Sequence, residues 1–289
     1  MCPEFNIFEI DGYMIMIMLG IIAGLLIYRV YTDKKKIPYE AQRFFLLLGA
    51  VSIMLGLFSA YLFQSFYNFA ANGYKNFKWQ GLTFLGGLTG GVGMFFLLYY
   101  LINVIYLKKK YSKYLNVTIQ AGVCGVILAH AIGRIGCFFA GCCYGRQMTG
   151  FPGITFPAYS EPSIHYTGVY NAAGELTHAD PVCVLPTQLY EAAFLFGLFA
   201  LLSYLYFKEY MLNLPIYALS YGVFRFFMEF LRNDHRGVLI TDIMTPSQIL
   251  SLLMVIGGVA LLTYHIKYKK YKADYDFSEK DNNKLRVES

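Results

Sequence analysis

Two arginines fall where hydrocarbon should surround them. Arg134 sits in His130-Ala131-Ile132-Gly133-Arg134-Ile135-Gly136, and Arg225 in Tyr221-Gly222-Val223-Phe224-Arg225-Phe226-Phe227-Met228-Glu229. An arginine at mid-helix in a membrane costs roughly 2.5–3.5 kcal/mol on insertion scales, so its presence asks for a reason. Glu229 stands four residues beyond Arg225, on the same helix face, and predicts an ion pair. Arg232 continues that face seven residues on from Arg225. The residues alone allow two readings. In one, Arg225 and Glu229 merely neutralise each other while Arg232 snorkels to water. In the other, the arginines line a cationic pocket whose guanidinium forks hold phosphate, which in a membrane means an anionic lipid headgroup.

Other polar groups gather around these. His130 lies one turn before Arg134 and is either a hydrogen-bonded packing residue or a member of the site. The segment Pro186-Thr187-Gln188-Leu189-Tyr190-Glu191 opens an apolar run with an amide and a carboxylate. A helix cap from Thr187 explains part of it, but not Gln188 and Glu191 together. Of six cysteines, Cys137, Cys142 and Cys143 are clustered and Cys183 follows in the same loop. No C-x-x-C pair with a histidine at zinc spacing exists, so no metal and no cofactor are expected. The cysteines read first as small packing residues, with a disulfide to Cys183 or a catalytic thiol as alternatives. Cys2 directly follows Met1 with no lipobox before it, so the chain is not expected to be a lipoprotein itself.

The elements that must position these groups follow from composition. The chain has 289 residues, 57% hydrophobic and 15% charged, with a mean hydropathy of +0.45. Soluble proteins carry about 25% charge, which argues against a cytosolic enzyme. Disorder, collagen-like structure and a small disulfide scaffold are excluded as well. Seven apolar stretches, near 13–31, 43–66, 82–107, 117–139, 188–207, 212–231 and 243–266, each have the length of a membrane span. The predicted fold is therefore all-α, a polytopic integral membrane protein with seven transmembrane helices. The first stretch follows Glu4, Glu9 and Asp11 with no basic residue, so it reads as a retained span and not a signal peptide.

Lysines follow the first, third, fifth and seventh stretches at Lys34–Lys36, Lys108–Lys110, Lys208 and Lys267. That bias predicts an N-terminus outside and a C-terminus in the cytoplasm. The net charge of +6 is then a topology signal, and no nucleic-acid partner is expected. Gly20 and Gly24, and the run Gly86, Gly87, Gly90, Gly91 and Gly93, predict close helix approach. Residues 1–272 form the expected membrane domain, with an extracytoplasmic loop over 140–187. Residues 273–289 form a polar tail expected to be disordered.

Together these motifs resemble those of the prolipoprotein diacylglyceryl transferase family, from the first span to the seventh. Gly133-Arg134-Ile135-Gly136-Cys137-Phe138 through Gly141-Cys142-Cys143-Tyr144-Gly145-Arg146 is similar to the family signature G-R-x-G-N-F…G…G. Pro186 to Glu191 resembles H-P-[ST]-Q-L-Y-E, and Tyr221 to Arg232 resembles Y-G-x-x-R-x-x-x-E-x-x-R. Tyr13 falls where the family has a functional tyrosine in its first span.

The resemblance implies an enzyme of the bacterial cytoplasmic membrane. It would transfer a diacylglyceryl group from phosphatidylglycerol to the lipobox cysteine of a prolipoprotein signal peptide, releasing glycerol 1-phosphate. Arg134 and Arg225 would hold the lipid phosphate, with Glu229 and Arg232 orienting Arg225 and the outer mouth. Tyr13, Gly86, Gly87, Cys137, Gly145, Gln188 and Glu191 would contribute to substrate binding. Several positions depart from the family pattern. Phe84-Leu85-Gly86-Gly87-Leu88 aligns with F-H-G-G-L, so the proposed base position is Leu85. The signature asparagine is Cys137, a further acidic or amide position is Cys142, and the histidine before Pro186 is Leu185. Glu229, His130 or a thiolate of the Cys137/Cys142 cluster are the candidate substitutes for the base. The alternative is a paralogous lipid-binding or transport protein, or a transferase with another acceptor.

Overall fold

Unbroken apolar runs fold as helices because hydrocarbon offers no partner to an exposed peptide group. The computed structural model describes residues 6–7, 10–71, 84–233 and 244–268. Its long helices are α1 (Gly12–Lys34), α2 (Tyr39–Ala71), α3 (Phe84–Leu98), α4 (Leu115–Ala140), α6 (Thr187–Phe207), α7 (Asn213–Met228) and α8 (Pro246–Lys267), with a short α5 (Glu161–Thr167) between α4 and α6. Seven segments are long and apolar enough to cross a membrane, as expected for an all-α polytopic protein. Their outward faces carry bare hydrocarbon: Met18, Ile22 and Leu26, one turn apart on α1, are each about half exposed. The expected tail at 273–289, and Lys75, Lys78 and Arg236, lie outside the described residues.

The chain divides into two units. The second comprises Tyr31–Ile119 and Asp276–Ser289. In it α2 and α3 pack through small residues, and Ser59 Oγ donates to the Gly86 carbonyl at 2.9 Å. Beyond α3 the helix widens into π-helical turns over Tyr99–Tyr106, where Leu107 N reaches Ile102 O at 2.8 Å. Buried Asn103 satisfies the following turn, donating to Ser112 Oγ and accepting from Tyr111 N, both at 2.9 Å.

The first unit comprises Met1–Val30 and Gln120–Tyr275. Here α1 crosses α4 at backbone contact. A Cβ on Gly24 would sit 2.8 Å from Gly125 O, and one on Gly125 would sit 2.6 Å from Gly24 O. The polar start of α7 is tied to α4: Gln120 Oε1 accepts from Leu214 N at 3.2 Å, and Asn213 Nδ2 donates to Cys124 Sγ at 3.2 Å.

The connection from α4 to α6 is more ordered than its glycine and proline content suggests. Strand β3 (Ile154–Phe156) pairs antiparallel with β6 (Val182–Val184), and β4 (Val169–Tyr170) with β5 (Leu176–His178). A further pair, β1 (Asn6–Ile7) and β2 (Ile10–Asp11), precedes α1. Tyr144, Phe156, Val182 and Val184 form a buried cluster under this connection, with Phe138, Ile154 and Tyr166 packed against it.

The α1–α4 crossing makes a direct demand on residue size. Gly125→Val should lower the thermal stability of the detergent-solubilised protein by roughly 1–3 kcal/mol through overpacking. Gly122→Ala, where a Cβ meets nothing within 4 Å, should leave the melting temperature unchanged or higher. Equal melting of the two variants would refute the crossing.

Candidate functional site

One stripe of α6 carries the polar end of the first unit's interior. Gln188, Glu191, Leu195, Leu198 and Leu202 recur at alternating steps of three and four and are all buried. The apolar members fix the rotation of the helix, and that rotation turns Gln188 and Glu191 inward. The Glu191 side chain is 2% exposed, and a carboxylate at such depth needs partners. It has them: Arg134 Nη2 lies 3.0 Å from Glu191 Oε1, and Tyr221 OH donates to the same oxygen at 2.7 Å. Arg134 Nε donates to His130 Nε2 at 3.3 Å, which makes that nitrogen an acceptor. The His130 ring meets Tyr221 edge-on at 5.2 Å. Among the described residues Arg134 Nη1 has no protein partner, so part of its fork is left for a ligand.

The second arginine is held separately. Arg225 Nη1 lies 2.8 Å from Glu229 Oε2, the pairing expected from the four-residue spacing. Arg225 Nη2 donates to Ser247 Oγ at 3.1 Å, and Thr245 Oγ1 donates to Glu229 Oε1 at 2.8 Å. Arg232, by contrast, does not continue the α7 face. The chain tightens into a 3-10 turn over Glu229–Leu231, and Arg232 is extended at φ −82°, ψ 150°. There it pairs as a β-bridge with Gly145. Arg146 N bonds Leu231 O at 3.1 Å, and Gly145 N bonds Leu185 O at 2.9 Å. Gly145 is pinched between these strands: a Cβ would meet Leu231 O at 2.7 Å and Leu185 Cβ at 2.9 Å. Arg225 and Arg232 are both largely buried. Among the described residues three guanidinium groups, of Arg134, Arg225 and Arg232, and two carboxylates, of Glu191 and Glu229, thus share the unit's interior.

The cysteines come together through a helix ending. Gly141, at φ +70°, terminates α4 in the left-handed conformation. Gly141 N bonds Phe138 O and Cys142 N bonds Cys137 O, both at 3.2 Å. This paired pattern is the Schellman motif, which folds the second residue past the helix back onto its last turn. Cys142 therefore returns to Cys137, and Cys143, at φ +63°, completes a cluster in which the three Sγ atoms lie within 4.8 Å of one another. The linear spacing contains no zinc pattern; the glycine just after an apolar helix was the available signal. Hydrogen bonds from Cys137 and Cys142, with Arg232 and Arg134 nearby, push the Cys143 thiol down. The Cys142 thiol is pushed up by its bonds to Cys137 and Cys143 and by burial. No disulfide joins any of the five described cysteines, so the alternative of a disulfide to Cys183 is not formed. Thr187 does not act as a helix cap. Its Oγ1 donates to Cys143 O and Gln188 Nε2 to Cys142 O, each at 2.6 Å.

Tyr13 packs onto the same helix: a Cβ on Gly136 would touch its ring at 3.3 Å. Arg134 and the three thiols act on it electrostatically. The structure thus brings Arg134, Glu191, Gln188, Tyr13 and Cys137 into one neighbourhood, with Arg225, Glu229, Arg232 and Gly145 in the same unit. Gly86 and Gly87 belong to the other unit, where they press against Phe63 and Ala60 of α2. The Leu85 side chain lies outside the described residues.

Comparison with known proteins now adds identity. The family model described as prolipoprotein diacylglyceryl transferase matches residues 3–264. The chain is 40% identical to phosphatidylglycerol–prolipoprotein diacylglyceryl transferase 2 of Clostridium perfringens over 139 residues, 47% of each chain. It is 32% identical to the Clostridium tetani transferase over 262 residues, covering 87% of this chain and 91% of that one. The Clostridioides difficile transferase is 31% identical over 276 residues, 92% of this chain and 96% of its own.

The Arg134–Glu191 pair makes a prediction about stability that is independent of catalysis. Arg134→Met alone leaves Glu191 buried without its cation and should destabilise the protein by roughly 3–5 kcal/mol. Adding Glu191→Met should recover most of that loss, measured by thermal unfolding in detergent. A double variant no more stable than the single one would show that the pair is not coupled.

Proposed function

We propose, since the chain belongs to the prolipoprotein diacylglyceryl transferase family, that it transfers the diacylglyceryl group of phosphatidylglycerol to the lipobox cysteine of prolipoproteins. This is the first step of bacterial lipoprotein maturation. In the reaction the substrate sulfur forms a bond to a glycerol carbon while that carbon's C–O bond to phosphate breaks. The electron pair leaves on the phosphate oxygen, glycerol 1-phosphate departs, and the thiol proton passes to an acceptor. The observation that carries the reading is the set of arginines held inside the first unit, with an Arg134 Nη1 that no protein group takes up among the described residues.

Arg134 and Arg225 hold the phosphate and stabilise the charge that grows on it as the C–O bond breaks. Their counter-ions decide how well they can do so. Glu191 and His130 fix Arg134, with Tyr221 holding Glu191 in place, and Glu229 and Ser247 fix Arg225, so both forks are preorganised and need not reorient as charge develops. Glu229 is engaged by Arg225 and Thr245, and His130 Nε2 by Arg134, so both are poorly placed to take the thiol proton. Gln188 and Gly145 hold the Cys142–Arg146 segment beside Arg232, and Tyr13 closes α1 onto α4. The substrate-binding assignment of Gly86 and Gly87 rests on the family motif.

The lysines after alternate spans support an N-terminus outside, a C-terminus in the cytoplasm, and Arg134 and Arg232 toward the outer leaflet of the cytoplasmic membrane. Phosphatidylglycerol then enters from that leaflet, where the signal peptide of the prolipoprotein also presents its cysteine.

Complementation of a transferase-depleted bacterium, read by lipidation of a lipobox reporter, tests the function. The wild-type chain should lipidate the reporter. Arg134→Ala and Arg225→Ala should each reduce lipidation by about 10²–10³-fold or more while membrane insertion is unchanged, and Arg134→Lys should restore little because it lacks the fork. Retained lipidation in either alanine variant would refute the assigned role. No lipidation by an inserted wild-type chain that still binds phosphatidylglycerol would favour a lipid-binding or transport protein.

A further inference from the structure

We propose that Cys137, Cys142 and Cys143 are the protein ligands of a zinc ion whose fourth position receives the thiol of the incoming lipobox cysteine. The inference rests on the transferase reading and supplies what that reading lacks, a means of deprotonating the substrate. The family's histidine position is Leu85, which cannot accept a proton.

Geometry comes first. Tetrahedral zinc with Zn–S bonds of about 2.3 Å needs sulfurs about 3.8 Å apart. The three Sγ atoms already lie within 4.8 Å of one another, so small rotamer adjustments close the set. Cys137 is held in the last turn of α4, and Cys142 by the Schellman bond of its N–H to Cys137 O at 3.2 Å. Two buried side chains of α6 clamp the other two through their carbonyls, Gln188 on Cys142 and Thr187 on Cys143. Cys143 keeps a left-handed φ of 63°, a conformation unfavourable for a non-glycine residue, with its sulfur beside the other two. A backbone fixed in this way behaves as the outer shell of a metal site does, orienting ligands before the ion arrives.

Charge points the same way. Three thiolates around a dication leave one negative charge, and two guanidinium groups lie close enough to offset it. Arg134 and Arg232 act on Cys143 directly. Among the described residues the cluster offers three protein ligands, the number found in catalytic zinc, whereas structural zinc has four.

The chemistry follows. A thiol that coordinates zinc is deprotonated outright, and its proton passes to water. The zinc-bound sulfur attacks the glycerol carbon, a C–S bond forms, and the C–O bond breaks with its electron pair on the phosphate oxygen held by Arg134. The thioether product is a weak ligand, so the site is released for the next turnover.

The test uses the full-length protein, purified under reducing conditions in detergent and loaded with zinc or cobalt(II). One metal per chain should remain after dialysis, and the cobalt form should show thiolate-to-metal charge-transfer absorption in the near ultraviolet. Cys137→Ser, Cys142→Ser and Cys143→Ser should each weaken metal binding by more than about 10-fold, the least that loss of a mere orienting partner costs. Cys183→Ser should not. As a check free of folding effects, zinc should protect the three cysteines of the wild-type protein from maleimide while Cys183 still reacts. A lipobox peptide with cysteine should shift the cobalt spectrum, and the same peptide with serine should not.

Absence of stoichiometric metal, binding that survives the three serine variants, or equal maleimide labelling with and without zinc would each overturn the metal site. A cobalt spectrum indifferent to the cysteine peptide would overturn the role of the fourth position. Metal binding as predicted, with no diacylglyceryl transfer to the peptide, would instead overturn the transferase reading and leave the metal site standing.

Discussion

A guanidinium or carboxylate inside a membrane protein must find its counter-charge within the protein, and the rest of the first unit is arranged around that requirement. Glu191 is the residue on which it turns. One carboxylate oxygen takes a bond from Arg134 on α4 and another from Tyr221 on α7 while its own backbone belongs to α6. Three helices are thereby registered to one another by a single atom. The leucine stripe that continues along α6 supplies packing, but packing alone does not fix the axial position of a membrane helix, because lipid tails are as apolar as leucine. A charge with one acceptable location does fix it.

The Arg225 network applies the same logic with different partners. Glu229 is shared between Arg225 and Thr245, and Ser247 takes the other end of the guanidinium. Guanidinium groups held in this way attract an anionic ligand. A lipid phosphate and a thiolate-bound metal are both of the right sign, and the cluster next to Arg134 offers the second beside the first.

The sequence made much of this readable, for identifiable reasons. The seven spans were legible because a hydrocarbon solvent leaves a long and unambiguous trace. Arg225 and Glu229 were legible because their spacing is local. Arg134 and Glu191 are on different helices, and nothing in linear spacing joins them. Each was singled out by its cost or its motif, but not their bond. The seven-residue spacing puts Arg232 on the α7 face only where the helix runs on, and the 3-10 turn at Glu229 removes it from that face. The 140–187 connection read as loop because strands of two or three residues leave no periodic signal. The three cysteines are close in the sequence, but their convergence is not legible there, because zinc spacings are fixed patterns whereas here a left-handed glycine makes residues five apart into neighbours.

The start of α8 bears on how the molecule is made. Thr245 caps that helix, accepting from Gln248 N through Oγ1 while Gln248 Oε1 accepts from Thr245 N, and the same hydroxyl reaches Glu229. Ser247, two residues on, reaches Arg225. Both partners belong to the start of α8, which follows α7 in the chain. Until it inserts, α7 sits in the bilayer with an ion pair whose remaining hydrogen-bonding groups are unmet, so the six earlier spans form an assembly with a lasting reason to wait for the seventh. Capture of α8 is then the event that commits the chain: a protein halted before residue 245 carries most of its hydrophobic surface, yet is marked as incomplete by two polar side chains. In a crowded membrane that mark is the kind of defect on which quality control acts.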